Sequence, residues 1–536
     1  MKRLALTLCL AGAALVAGGG VARPAATMAS ACVGSRPGCF PTIQAAVDAV
    51  DSVVPIQVDA GTYAGGITVR RSATILGAGA GKTIIRGGGP AIAIGTPGAE
   101  NQSTVTISGV TITAGLTSSS PVSNNTPGVD AAGGGIEVLP LSTLTLSDSV
   151  VAGNRVEPSA TVISPHSAEC PAGKCPYASA RGGGIANWGT LTVRNTTVSG
   201  NAVGGPLASD ATGGGIWSAA NVSVTLADAV VTQNHATAVA PNGRFAEGGG
   251  IFVEDSGRLK IGNSVVSGNS ASLTSNLPSF ADKTGKTLID MNANSGGVHV
   301  NDGATATIDS ATIQGNTVSA KDPAGEPLAF DAAMYAGDAR VVMRNSFISR
   351  NDVTVTSATA HDVGSGGSAL ELDGGGTISG TRITDNSAEA ISPAGEAQVN
   401  GGLAVLNFNH DAKLVLVKNS VISGNTATAS TTTGSASVKG GGIFNGSLLE
   451  LRHVRVSGNT GTAAGPAGVA QGGGVWNGRF TDSPVRLTLK NTAITHNSLA
   501  GSSGIARRGG GLFTTFRVKR SHTRLALNSP DQCAGC

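Results

Sequence analysis

Four aspartates recur at one position of a repeated motif, and their spacing suggests shared chemistry. Each stands four residues after the apolar residue that follows a glycine-rich run, and these apolar residues are Ile251, Val298, Met334 and Ala369. The aspartates are Asp255, Asp302, Asp338 and Asp373. Stacked repeats would hold their carboxylates about 4.8 Å apart, where they repel unless a cation bridges them or some are protonated. Because Ca²⁺ takes several carboxylate oxygens, this column is a candidate calcium site, and no other cofactor is expected.

Ordinary turn chemistry explains the same aspartates and is the favoured interpretation. Asp255 precedes a serine, and Asp302 and Asp373 each precede a glycine, which are common pairs at strand ends. For catalysis the candidates are Asp302 and Asp338 with Arg340 from a neighbouring repeat, although no spacing ties a basic residue to the column. The metalloprotease motif HExxH, the hydrolase motif GxSxG and the EF-hand loop are missing from the sequence.

A second column of side chains follows the apolar position by one residue. Its members are Trp217, Phe252, His299 and Tyr335 on successive repeats, then Phe444, Trp476 and Phe513. Facing outward, this column would offer aromatic platforms to sugar rings or protein partners. Facing inward it would be a stacked core, which is the commoner use of aromatic residues.

The repeat itself predicts the fold. Glycine-rich starts at 133, 182, 213, 248, 296, 366, 401, 440, 472 and 509, with a weaker copy near 332, make eleven units, each closing about twenty residues later. Within one unit, "GGGIAN", "TLTVRN" and "TTVSGN" are three β-rich segments separated by turns, which predicts one triangular coil per unit. Parallel stacking of such coils, with the preferred right-handed crossover, gives an all-β, right-handed parallel β-helix. "PTIQAAVDAV" predicts a short N-terminal capping helix that starts at Thr42.

The units close on asparagines that we interpret as structural. Asparagine tolerates the left-handed turn conformation, and stacked amides can hydrogen-bond between coils. The predicted set is Asn154, Asn201, Asn234, Asn269, Asn316, Asn351, Asn386, Asn425, Asn459 and Asn497. The Ser/Thr/Ala/Pro-rich segments 155–181, 270–295 and 317–331 are predicted to be loops that project from one edge.

The glycine run with its apolar and aromatic residues, followed by the apolar-x-x-Asn ending, resembles the GGA-I and F-x-x-N repeats of chlamydial polymorphic outer membrane proteins. The opening "TIQAAVDAV…IQVDAGTY…ITVRRSATILGAG" is similar to the start of pectate-lyase-superfamily β-helix proteins. The resemblance implies the β-helix fold across most of the chain. It also implies that, if the protein is an enzyme, calcium acts together with an arginine or lysine that serves as the base.

The ends of the chain indicate export. Lys2 and Arg3 precede an apolar run and a small-residue site that ends at Ala31, which predicts a signal peptide over 1–31 and a secreted, extracellular protein. A lipid anchor on Cys32 is the alternative, and no transmembrane segment is expected. The remaining divisions are an N-terminal cap with opening coils over 32–115, the repeat region over 116–528, and a Cys-containing tail over 529–536. Three close cysteine pairs predict local disulfides, and they are Cys32 with Cys39, Cys170 with Cys175, and Cys533 with Cys536.

The charge balance bears on the partners. The chain has 36 basic and 33 acidic residues, and three of the basic ones lie in the predicted signal, so the mature chain is neutral and no nucleic-acid partner is expected. The last repeat alone is basic, and we interpret it as a solvated end cap of a monomer.

Two functions remain open at the level of sequence. The preferred one is a secreted β-helix protein that binds glycan or a cell-surface partner, in an adhesin-like role without catalysis. The alternative is a lyase or hydrolase that acts on acidic polysaccharide, with calcium as its candidate cofactor.

Overall fold

The structure is a computed structural model that describes residues 30–98, 103–118, 128–158, 177–206, 208–239, 244–274, 292–322, 327–357, 363–365, 369–406 and 412–536. The chain winds into a right-handed parallel β-helix, which confirms the predicted fold class. Every strand pair in the five sheets is parallel and joins equivalent positions of successive coils. No helix among these residues has the length and apolar character needed to cross a membrane.

One coil passes through five strands, which we number as sheets 1 to 5 in chain order. In the coil that starts at Gly248, the strands of sheets 1 to 5 are Ile251–Val253, Arg258–Gly262, Val265–Ser267, Ser270–Thr274 and Asn292–Asn294. The next coil has Val298–Val300, Thr305–Asp309, Thr312–Gln314, Thr317–Asp322 and Leu328–Phe330, and the one after it has Met334–Ala336, Arg340–Arg344, Phe347–Ser349, Asp352–Ser357 and Val363–Ser365. Leu370–Leu372 continues sheet 1.

The five sheets run almost the whole length of the described chain. Sheet 1 has 14 strands from Ile67–Val69 to Cys533–Ala534, sheet 2 has 15 from Ala31–Val33 to Lys519–Ser521, and sheet 3 has 14 from Gly61–Ala64 to Arg524–Ala526. Sheets 4 and 5 begin later and have 11 strands each, from Leu116–Thr117 to Ser498–Gly501 and from Gly128–Ala132 to Ile505–Arg508.

The first coil is capped by the helix Ile43–Ala49, as predicted. The side chain of Thr42 accepts a hydrogen bond from the amide of Ala45, so it is the N-cap that the sequence indicated. Ile43, Ala46 and Val47 are buried, which covers the apolar end of the solenoid.

The prediction of three strands per coil was wrong, because each full coil has five. The segments interpreted as loops contain the strands of sheets 4 and 5, for example Ser270–Thr274 and Asn292–Asn294 within 270–295. These two sheets pack on each other around a core of alanine and valine, separate from the isoleucine-, valine- and leucine-rich core enclosed by sheets 1 to 3. We call the pair of sheets 4 and 5 the flange.

An asparagine ladder marks the neck where the flange leaves the triangular core. The amide nitrogen Nδ2 of Asn269 donates to Oδ1 of Asn316 on the next coil (2.9 Å) and to the Val231 carbonyl of the previous coil (3.0 Å). The backbone N–H of Asn269 also donates to Asn316 Oδ1 (3.1 Å). The same pattern runs from Asn154 to Asn528, so the asparagines are structural and the ladder extends one member beyond the predicted set.

The glycine runs face this ladder at the neck. A Cβ on Gly250 would lie 2.6 Å from the Gly297 carbonyl and 3.0 Å from Asn269 Nδ2, so no larger residue fits. The left-handed conformation was assigned to the wrong residue. It belongs to the residue before the ladder asparagine, such as Gly268 with φ of 62°, rather than to the asparagine itself.

Two of the three predicted cysteine pairs lie in the described ranges. Cys32 is bonded to Cys39 beside the first coil, and Cys533 is bonded to Cys536 at the last. Cys170 and Cys175 lie outside the described residues, as do residues 1–29 of the predicted signal.

Replacing Asn316 with alanine should destabilise the solenoid strongly. The change removes the acceptor of two Asn269 donors and the donor to the Val266 carbonyl (3.1 Å), all of them buried. Leaving such groups unpaired should lower the free energy of unfolding by roughly 3 kcal/mol or more, measured by urea denaturation. Thr305→Ala, on the exposed outer face of sheet 2, is the control and should change it by about 0.5 kcal/mol. Equal effects from the two variants would contradict the role of the ladder.

Candidate functional site

The outer faces of sheets 1 and 5 meet in a groove that runs along the solenoid. We call it the flange groove. Arg181, which ends a sheet 5 strand, holds its guanidinium 5.5 Å from the ring centroid of Trp217 on sheet 1. Further along, Gln471 of sheet 5 accepts a hydrogen bond from Trp476 Nε1 of sheet 1 (3.2 Å). The flange therefore folds back over the central residues of these sheet 1 strands.

The aromatic column lies on the floor of this groove. It faces away from the main core, but sheet 5 covers it, so Trp217, Phe252 and His299 are only 4%, 2% and 2% exposed. Of the four ligand-binding candidates, Tyr335 alone is partly exposed. Trp188, which the column argument missed because it stands in the turn after sheet 1, is also partly exposed and lies 5.0 Å from Trp217 between ring centroids.

The aspartate column forms only in part. Pairing aligns Met334 with Leu370, not with Ala369, which moves Asp373 one position out of register. Asp255, Asp302 and Asp338 do share one position in the turn after sheet 1. Burial and the negative charges of Asp255 and Asp338 raise the pKa of Asp302.

A lysine that was not among the candidates contacts this column. Asp338 forms an ion pair with Lys413, with 3.0 Å between Nζ and Oδ1. Arg340 is exposed at the start of its sheet 2 strand. Across the described ranges, no three His, Cys, Asp or Glu side chains are arranged to hold a metal ion.

A cluster of buried carboxyl groups surrounds Tyr335. Asp331, Glu371 and Asp373 are 0%, 3% and 4% exposed. Burial, the charge of Glu371, a hydrogen bond to it and the charge of Asp373 raise the pKa of Asp331 well above its usual range. Burial and the charges of Glu371 and Asp302 raise the pKa of Asp373 in the same way. The pKa of Tyr335 is also raised, by burial first and then by the surrounding acids.

The repeat shows how these acids arise, although sequence reasoning missed two of them. Glu371 occupies the central position of sheet 1 that holds Tyr335 on the preceding coil. Asp331 replaces the first glycine of the run and keeps its left-handed backbone, with φ of 48°. A buried acid in a conformation that favours glycine is a departure from the repeat, and such departures concentrate at functional sites. The signal was present in "FDAAMYA", where the glycines are absent.

His299 stands next to the acid cluster on the groove floor. Its ring stacks on Phe252 with centroids 4.6 Å apart and lies 5.0 Å from the Tyr335 ring. Its Nε2 is 2.8 Å from Asn301 Oδ1, while the buried Nδ1 has no hydrogen-bond partner in the ranges that the structure describes. Burial lowers the pKa of His299 to about 4, so the imidazole is neutral near pH 7.

Further polar groups of the groove are buried with unmet hydrogen-bonding capacity. On the outer face of sheet 5, Thr212 Oγ1 and Asn292 Oδ1 have no hydrogen-bond partner within the described part of the chain. Beside them, burial and the charges of Asp210 and Glu254 raise the pKa of Glu247 to about 8. Glu254 accepts a hydrogen bond from Trp217 Nε1 (3.3 Å).

Comparisons with known proteins give a structural similarity but no family. No protein-family model and no curated protein matches the chain. Among solved structures, the chain is similar to the A-module of the mannuronan C-5 epimerase AlgE6 of Azotobacter vinelandii, at 12% sequence identity and a TM-score of 0.23. That similarity covers 90% of this chain and 93% of the other. At this TM-score the likeness carries no argument about the site.

The raised pKa of Glu247 should make stability depend on pH. The folded state holds its proton up to about pH 8, whereas the unfolded chain releases it near pH 4.5. Stability should therefore fall as pH rises between these values, and Glu247→Gln should abolish that part of the fall. At about 1.4 kcal/mol per pKa unit, and with partial exposure screening some of it, we expect a recovery of about 1–3 kcal/mol at pH 9 relative to pH 5.

Urea unfolding at the two pH values measures this recovery. Glu389→Gln, at an exposed site on sheet 4, is the matched control and should leave the pH dependence unchanged. An identical pH dependence in wild type and Glu247→Gln would contradict the burial of an ionisable glutamate in the groove.

Proposed function

We propose that the protein binds a polysaccharide along the flange groove. The single observation that carries this proposal is the row of buried polar atoms on the groove walls that have no hydrogen-bond partner among the described residues. They are Thr212 Oγ1, Asn292 Oδ1, His299 Nδ1 and, apart from the Glu371 carboxyl, both oxygens of Asp331. Buried polar groups are costly unless they are hydrogen-bonded. A ligand with many hydroxyl groups can both donate to and accept from such a row.

The extent of the row favours a polymer over a small molecule. Thr212 and Asp331 stand on coils three repeats apart, which at about 4.8 Å per coil spans roughly 14 Å. Partly exposed rings of Trp188 and Tyr335 flank the polar atoms, and an aromatic face suits the apolar face of a sugar ring. The mannuronan epimerase resembles this chain in fold only, so the substrate of that enzyme is not carried over.

Secretion and an adhesin-like role remain part of the proposal. The bonded pairs Cys32–Cys39 and Cys533–Cys536 fit an oxidising, extracellular compartment. A groove of this kind would then meet glycans outside the cell. N-terminal sequencing of the exported protein tests the proposal, because cleavage after Ala31 should leave Cys32 as the first residue.

Binding should depend on the groove and not on other exposed aromatic surface. Wild-type protein is titrated with a panel of neutral and acidic polysaccharides by isothermal calorimetry, followed by Trp188→Ala and Asn292→Ala. Each variant should weaken binding of the best ligand at least about tenfold, because it removes a ring face or a hydrogen-bonding group. Phe347→Ala is the control, since Phe347 is 51% exposed on the outer face of sheet 3. Equal loss in the control, or binding of none of the panel, would overturn the proposal.

A further inference from the structure

The solenoid finishes in a strongly basic segment, residues 505–536, which we call the basic end. This segment carries six basic side chains and one acidic one, whereas residues 32–504 carry 27 basic and 32 acidic ones. All six are exposed and none forms an ion pair with a described residue; they are Arg507, Arg508, Arg517, Lys519, Arg520 and Arg524. The single acid, Asp531, accepts a hydrogen bond from the backbone N–H of Gly510 (2.8 Å). The positive charge of the basic end is therefore not neutralised within the described part of the chain.

Two of these arginines stand at positions that face the cores on earlier coils. Arg520 pairs with Leu489 in sheet 2, and both Leu489 and Leu451 before it are fully buried in the main core. Arg507 pairs in the same way with Ala470 of sheet 5, which is buried in the flange core. Both arginines are exposed, so their side chains lie at the open end of each core rather than inside it. A further coil would bury these two cations at high cost, so the solenoid ends here.

The tail that follows completes this end of the solenoid. Gln532 Oε1 accepts hydrogen bonds from the backbone N–H (3.2 Å) and from Nδ2 (2.9 Å) of Asn528, as the next asparagine does on the preceding coils. The glutamine therefore terminates the ladder. Cys533 and Ala534 pair with the last full strand of sheet 1. The basic end is thus a defined face of the fold and not a frayed terminus.

An exposed leucine lies at the same end. Leu527 is 63% exposed and has a left-handed backbone, with φ of 58°. It precedes the ladder asparagine, at a position that holds glycine or a polar residue on each coil from Gly153 to His496. An apolar side chain that stays exposed in this conformation departs from the repeat, and such departures concentrate at functional sites.

A solvated end cap, the interpretation favoured by the sequence, explains only part of this composition. Charges at inward-pointing positions keep open strand edges from pairing with other chains, which accounts for Arg507 and Arg520. Acidic residues would serve that purpose equally, so edge protection accounts neither for the single sign of charge nor for Leu527. A soluble polyanion would contact the cations but not the leucine. An anionic lipid surface contacts both, because its phosphates attract arginine and lysine while an apolar side chain enters the interface.

We propose that the basic end docks on an anionic phospholipid surface. The cations bind the headgroup phosphates, and Leu527 inserts between the headgroups. The acidic remainder of the chain is repelled by the same surface, which orients the solenoid with its basic end toward the lipid. Contact through the end leaves the flange groove, on the side of the solenoid, open to glycans. The docking surface is therefore separate from the proposed glycan site.

Vesicle co-sedimentation tests this proposal. The exported protein is mixed with vesicles of phosphatidylcholine alone, or of phosphatidylcholine and phosphatidylglycerol in equal parts. Wild type should sediment with the anionic vesicles only, and raised salt should release it because salt screens the attraction. The end variant, with Lys519, Arg520 and Arg524 replaced by glutamine, should bind at least about 50-fold more weakly, at roughly fivefold per charge. Leu527→Ser should weaken binding at least about threefold.

The matched control replaces three arginines on the side of the solenoid with glutamine. Arg258, Arg344 and Arg382 are exposed on the outer faces of sheets 2 and 3, so the control has the same net charge as the end variant. It should bind anionic vesicles as wild type does. Both variants should keep the glycan affinity of the flange groove, which shows that they are folded.

The other outcomes overturn the docking proposal without touching the glycan groove. They are failure of wild type to sediment with anionic vesicles, unchanged vesicle binding by the end variant, and equal losses in the end variant and the control, which would indicate an effect of net charge alone. A third arm replaces the vesicles with polygalacturonate. If wild type binds this soluble polyanion through the basic end but does not bind vesicles, the partner is an acidic polysaccharide and the lipid proposal is wrong.

Discussion

The neck between the triangular core and the flange is the constraint on which the rest of the structure depends. At each coil one asparagine side chain links three coils, and a glycine backbone packs directly against it. The glycine backbone lies too close to the asparagine amide for any larger residue to fit. Each buried amide in turn needs the asparagine of the next coil as its hydrogen-bond partner. With both in place, the chain leaves the core, forms two extra strands and returns, and the backbone at the neck is hydrogen-bonded from coil to coil.

This geometry produces the chemical environment of the groove. Because the chain returns through sheet 5 directly onto sheet 1, the outward residues of sheet 1 are covered rather than solvated. Apolar members of the column, such as Phe252 and Phe444, simply pack there. Where the column carries Tyr335 and Glu371, the same cover removes water from ionisable groups, and burial is accordingly the largest cause of the pKa shifts of Asp331 and Asp373. One structural device therefore yields both a packed wall and a cluster of buried ionisable groups.

The sequence predicted the parts of the fold that its periodicity encodes. Glycine starts and asparagine ends fixed the register of the core, and Thr42 fixed the start of the cap. The flange was not predicted, because its strands alternate alanine with serine or threonine, as in "SASLT". Surface loops share this composition. Its burial depends on the partner sheet, which no local pattern reveals.

The site was predictable only where the repeat is regular. Asp302 and Asp338 occupy one position on successive coils, but two adjacent apolar residues, Ala369 and Leu370, left the register of the next coil ambiguous. Strand pairing decides in favour of Leu370 and thereby moves Asp373 into the cluster. Asp331 and Glu371 interrupt the motifs that defined the repeat, so a search for regular positions passed over them.

The central claim is that ligand occupies the groove between sheets 1 and 5. The most direct test is a crystal structure of the protein in complex with the oligosaccharide of highest affinity. The account predicts sugar rings along the groove, with hydroxyl groups within hydrogen-bond distance of Thr212 and Asn292 and one ring beside Tyr335. Sugar bound instead to the outer face of sheet 2 or sheet 3, or at an end of the solenoid, would contradict it.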